Sequence, residues 1–149
     1  MKKISLLLFV LALTFVSCSK DESSDKSEIN SVFFQLASKS DSGISGTATF
    51  TRNDDDTTTI LLSISNSSDD VHPAYIQYND IATTGPVAIT LVPIDCDCEE
   101  SISIVSHLDN GSAISFDELI DFNGYINIHQ SATELETIIA QGNIGSNVK

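Results

Sequence analysis

Between residues 45 and 52 small or apolar side chains (Gly46, Ala48, Phe50) alternate with polar ones (Ser45, Thr47, Thr49, Thr51). A period of two puts one set on a buried face and the other in solvent, so this stretch predicts a half-buried strand. Asn53-Asp54-Asp55-Asp56 interrupts the pattern with residues that favour a hairpin loop. Residues 58–65 resume it with Ile60, Leu62 and Ile64, and polar residues 66–70 break it again. Further strands are expected over 72–78 and over 86–92, where Val87, Ile89 and Leu91 share a side, and then over 101–105, through Ile102 and Ile104.

The final third is mixed. Ser115 and Glu118 have capping-box spacing, which predicts one or two helical turns over 116–122. Residues 124–130 read as a strand with Tyr125, Asn127 and His129 on one face and Ile126 and Ile128 on the other. Ser131 and Glu134 repeat the capping-box spacing, so a second brief helical turn is expected there. A last strand over 138–144 closes the domain. Short strands separated by turn clusters, with only brief helical turns and no internal repeat, define an all-β antiparallel sandwich.

The first residues give an address. Lys2 and Lys3 precede an apolar run, 4–16, that is too short to span a bilayer and has the flanks of a secretory signal. It ends in Phe-Val-Ser-Cys, which resembles the lipobox of bacterial lipoproteins. That resemblance implies removal of residues 1–17 and attachment of lipid to Cys18, the protein's link to the membrane. Several acyl chains on one residue anchor it without a transmembrane helix. Ser19-Lys20-Asp21-Glu22 resembles the signal that sends Bacteroidetes-type lipoproteins to the outer face of the outer membrane. Residues 18–30 are expected to be a flexible acidic linker, and 31–146 to be one domain.

Charge narrows the partners. The chain has 7 basic and 21 acidic residues and a net charge of −14. Removing residues 1–17 takes away Lys2 and Lys3, leaving 5 − 21 = −16. Phosphate backbones repel such a chain, so nucleic acid is excluded as a partner and a protein or glycan is expected instead.

Candidate chemistry is sparse. Cys96 and Cys98, in Asp95-Cys96-Asp97-Cys98-Glu99-Glu100, can form a strained loop disulfide, stay as thiols, or supply two ligands of an incomplete metal sphere. Asp54, Asp55 and Asp56 lack the alternating spacing of a calcium loop. His72, beside Pro73 at a strand start, is read as a structural hydrogen-bonding residue, and His107, before a turn, as solvated. Tyr75, Tyr78 and Tyr125 could line a shallow binding face. No nucleophilic triad or phosphate-cradling glycine loop is present, so no catalytic residue and no cofactor are expected. Asp56-Thr57-Thr58 resembles the Asp-Thr-x sequence that Bacteroidetes-type bacteria O-glycosylate, with Thr57 as the acceptor.

Three blocks carry a family resemblance: HPAYIQYNDIATTGPVAITL from His72, GYINIHQSATEL from Gly124 and IIAQGNIG from Ile138. In that order they resemble the CHRD domain family, over nearly all of the chain from Ser31 to Gly145. The resemblance implies an immunoglobulin-like or superoxide-dismutase-like Greek-key β-sandwich without an agreed enzymatic activity. More distantly, the blocks resemble copper–zinc superoxide dismutases, in which a His-x-His on one strand and a His on a later strand bind copper. His129 matches the later ligand, but Tyr75 and Gln77 stand in the His-x-His positions. The resemblance therefore implies that dismutase activity is absent, with His129 the one remaining metal candidate. The expected function is a non-catalytic, surface-anchored binding or envelope module, the alternative a degenerate metal-binding protein.

Overall fold

The computed structural model describes residues 29–67, 70–95 and 97–148. The signal segment 1–17, the lipid site Cys18, nearly all of the linker, and Cys96 lie outside the described residues. The structure is all-β, with eight strands: β1 (Ser31–Ser38), β2 (Ser45–Arg52), β3 (Thr58–Ser65), β4 (Ala74–Tyr78), β5 (Val87–Thr90), β6 (Glu100–Val105), β7 (Gly124–Ser131) and β8 (Glu134–Ile144). One short helix, α1 (Phe116–Ile120), precedes β7, and a 3-10 turn (Gly145–Asn147) comes after β8.

All pairings are antiparallel, in the order β5-β4-β7-β8-β1-β2-β3-β6. The sheet curls on itself into two layers, β1-β2-β3-β6 and β5-β4-β7-β8. Two crossings give it Greek-key character: β6 passes the β4–β5 hairpin to pair with β3, and β7 returns to pair with β4. β1 belongs to both layers. Ser31 to Leu36 pair with β2, whereas Ala37 and Ser38 pair with β8 through Gln141 and Ala140.

The alternating positions of the sequence become the core. Phe34, Ala48, Phe50, Ile60 and Leu62 from the first layer meet Ala74, Ile76, Ile126, Ile128 and Ile144 from the second in one buried cluster. Phe34 and Phe50 pack edge to face with ring centroids 5.1 Å apart. Each such side chain withdrawn from water contributes roughly 1.5–3 kcal/mol before entropy is counted.

β2 and β3 occupy the expected residues, and the aspartate run between them is a closed loop. Asn53 N–H donates to Thr57 O at 3.0 Å. The Asp55 carboxylate accepts from Thr57 Oγ1 at 2.7 Å and Thr57 N–H at 3.2 Å. These bonds stabilise its charged form and hold its pKa below the ordinary carboxylate value.

The two capping-box spacings have different outcomes. At Ser115 the helix forms: Glu118 N–H donates to Ser115 Oγ, and Ser115 N–H donates to the Glu118 carboxylate. Phe116 and Leu119, three apart, bury the inner face of α1. Arg52 caps the outer side, with its guanidinium 4.5 Å from the Phe116 ring centroid and paired with Asp117. Ser115→Ala is expected to lower stability by about 1 kcal/mol, measured by urea denaturation, through loss of that cap. At Ser131 the expected helical turn is absent. Ser131 pairs with Glu134 across a two-residue hairpin turn, and Glu134 to Thr137 extend β8. The β-branched and apolar run after it favours the sheet over a helix.

Candidate functional site

The expected site lies on β4 and β7. Tyr75 pairs with Asn127, and Gln77 with Tyr125. Residues 75, 77, 125, 127 and 129 therefore share the face opposite Ile76, Ile126 and Ile128. This face is turned away from the core, yet Tyr125, Asn127 and His129 are buried on it, His129 to 8% exposure. Residues 79–86 reach over Tyr125, and Tyr75 packs on His129. Gly85 N–H donates to Tyr125 Oη at 3.4 Å, and Ile81 N–H donates to Asn143 Oδ1 at 3.1 Å.

A bulge sets the position of His129. Ile128 pairs with Ala140 and His129 with Ile138, so Ile139 is an extra residue in β8. Ile139 turns its carbonyl towards Lys39 N–H on the β1 side instead. His129 Nδ1 lies 2.5 Å from the Leu135 carbonyl. A carbonyl can only accept, so Nδ1 carries a proton, and in the neutral ring the lone pair is then on Nε2. That Nε2 is buried without a hydrogen-bond partner. Tyr75 packs against the imidazole edge to face, with centroids 5.4 Å apart.

Gln77 is placed differently from the expectation that it and Tyr75 both approach His129. Its register partner is Tyr125, four residues from His129, which corresponds to about 13 Å along an extended strand. Gln77 Oε1 instead accepts from Asn127 Nδ2 at 2.7 Å, leaving Asn127 Oδ1 buried without a partner. The face thus divides into a Tyr75–His129 pair and a Gln77–Asn127 pair.

The other two histidines take up separate places. His72 is fully buried on the core side of the β4 strand line, its Nδ1 2.7 Å from the Gln130 carbonyl. It ties the start of β4 to the end of β7. His107 is exposed beside the turn 108–111, with Ser106 Oγ 2.9 Å from its Nδ1.

Thr57 Oγ1 is engaged by Asp55 and by Asn53 Nδ2, the latter at 2.8 Å. Cys98 is exposed, while its partner in the expected disulfide, Cys96, lies outside the described residues. Among the described residues no three His, Cys, Asp or Glu side chains gather where they could hold a metal ion.

Sequence reasoning missed Asn127 as the partner of Gln77. Its signal was the Asn-Ile-His spacing, which places Asn127 on the face of His129. It also missed the depth at which this polar face is buried.

Wild-type protein is expected to bind copper weakly, because His129 is one strong donor beside a phenol. Tyr75→His would set a second imidazole against the His129 ring and raise copper affinity by about one to two orders of magnitude. Gln77→His should add little, given its distance along the strands. Competition titration against a copper chelator checks this, with His129→Ala in the Tyr75→His background removing most of the gain. Equal affinity in wild type and Tyr75→His would mean this face is not the remnant of a metal site.

No protein-family model matches this chain, and no curated protein matches it.

Proposed function

We propose that this chain is a surface-anchored lipoprotein whose sandwich is a non-catalytic, CHRD-like binding module. The observation that carries the reading is where the three resembling blocks fall. The first covers β4 and β5, the second the β7–β8 hairpin, and the third the rest of β8. Blocks separated in sequence thus make up one continuous layer, β5-β4-β7-β8.

On the outer face of that layer Tyr75 and Gln77 are half-buried, over the buried Tyr125 and Asn127. On this reading Tyr75 and Gln77 are the groups of this face that a partner would meet. The Cys18 lipid and the Lys20-Asp21-Glu22 signal supply the location, the outer face of an outer membrane. Among the described residues no helix is long and apolar enough to cross a membrane. The partner class is protein or glycan, and the acidic charge disfavours nucleic acid.

The second reading, a degenerate dismutase-type metalloprotein, draws on the bare Nε2 of His129. Metal analysis and a superoxide assay on protein purified from its native membrane separate the two. The binding-module reading expects well under one equivalent of copper or zinc and no superoxide turnover. Near-stoichiometric metal, or turnover above the free-ion rate, would replace it with the second reading.

A further inference from the structure

β1 and β8 are paired only where they meet, at Ala37 with Gln141 and Ser38 with Ala140. Towards the start of β1 and the end of β8 the strands diverge and leave a groove of about 750 Å³. Its walls include Phe33 and Gln35 from β1, Asn143 and Val148 from the end of β8 and beyond, and Asp80 and Ile81 from the loop after β4. The apolar side chains are poorly covered: Phe33 is 67% exposed and Val148 53%.

The direction of the β1 backbone is fixed by two hydrogen bonds. Lys39 N–H donates to Ile139 O in β8, and Asn30 O accepts from Arg52 N–H in β2. Backbone groups alternate along a strand. Even-numbered residues of β1 therefore face β2, and Ser31, Phe33 and Gln35 face the groove. The close approach of Gln35 O to Gly142 marks where the split begins. Beyond it, among the described residues nothing pairs with the outward edge of β1 at Phe33, which faces a wall of apolar (Ile81, Val148) and polar (Asp80, Asn143) side chains. A small molecule does not match a row of alternating backbone donors and acceptors, whereas an extended peptide does.

Charge selects among peptides. Lys39 and Arg52 are the only basic side chains among the described residues, and Arg52 is held by Asp117. The domain's field is negative and draws cationic chains towards it. Two nearer occupants fit less well. Residues 19–28 contain no apolar side chain to fill the groove, and a second copy brings the same acidic charge.

We propose that the split between β1 and β8 captures an extended basic peptide by strand addition. The peptide backbone pairs with the outward edge of β1, and its alternate apolar side chains pack on Phe33, Ile81 and Val148. This site is separate from the Tyr75–His129 face and does not depend on the lipid anchor.

The test uses the full chain and a blocked peptide of alternating valine and lysine, monitored by fluorescence anisotropy at low salt. It should bind at least about tenfold more tightly than a valine–glutamate peptide, or than the same peptide N-methylated at alternate nitrogens. The Phe33 amide should exchange freely in the protein alone and become protected when the peptide is added. Phe33→Pro removes a groove-facing N–H while sparing the β2 ladder, and should weaken binding about tenfold. The N-methylated peptide gives the same information without touching the protein's fold. Equal binding of the methylated peptide, or no binding by any of the three, would overturn the proposal. So would a Phe33 amide already protected in the free protein, which would mean that the chain's own segment or a second copy covers the edge.

Discussion

Cys18→Ala should release the protein from the membrane almost completely. Each buried methylene of an acyl chain contributes about 0.8 kcal/mol, so one chain binds only marginally and several together hold firmly. Cys18→Ala also removes the lipobox-type cut before residue 18, so the variant receives no acyl chain, and its acidic domain is repelled by anionic headgroups. Fractionation in high salt and carbonate measures the effect, with wild type in the pellet and the variant in the supernatant. A variant that still pelleted with the outer membrane would refute the lipid assignment at Cys18. Changing Lys20, Asp21 and Glu22 together to alanine should keep the lipid but leave the protein facing inwards. External protease would then spare it, whereas it should digest wild type on intact cells.

Gly142→Ala should cost roughly 3 kcal/mol, a large share of a small domain's stability. A Cβ at this position would sit 2.1 Å from the Gln35 carbonyl oxygen and 3.0 Å from Leu36 Cδ2. The first obstacle is backbone, which cannot swing aside as a side chain would. Relief requires opening the β1–β8 seam, which is only two residue pairs long. Amide exchange should therefore rise first at Ala37 and Gln141, before the β2–β3 ladder is affected. Gly111→Ala provides the contrast. Gly111 has φ +86° but no atom within 4 Å of its added Cβ, so alanine there costs only about 1 kcal/mol of backbone strain. Equal losses at the two glycines would show that contact at the seam is not what limits Gly142.

The strands were most legible where one face is buried and the other wet. β2 and β3 are such strands, and their limits match the alternation residue for residue. β1 gave no comparable signal. Val32, Phe33 and Phe34 are apolar in succession, and Phe33 points to the groove side of an unfinished pairing instead of into the core. The two Ser-x-x-Glu spacings show the limit of local rules. The same four-residue pattern caps a helix at Ser115 and turns a hairpin at Ser131, and the neighbouring residues decide between them. α1 has Phe116 and Leu119 on one side, whereas β8 continues through β-branched residues that pair with β7. At the candidate site, period two placed Tyr75, Gln77, Asn127 and His129 on one face. It could not supply the register between β4 and β7, which depends on contacts between distant residues. That register is what separates Gln77 from His129.

The membership of β1 in both layers has a bearing on when the protein can finish folding. A chain made from its N-terminus delivers β1 first and β8 last, and β1 cannot join the second layer until β8 has arrived. β2 and β3 can zip onto β1 early, because their connections are short. The closing pairs Ala37–Gln141 and Ser38–Ala140 join opposite ends of the domain, so loop closure must be completed before they contribute. A chain stalled before its last strand would leave the second edge of β1 and the second edge of β7 uncovered, ready for pairing with another chain. The first strand and the last thus meet at one seam, and its closure withdraws the Ala37–Ser38 part of the β1 edge from neighbouring chains.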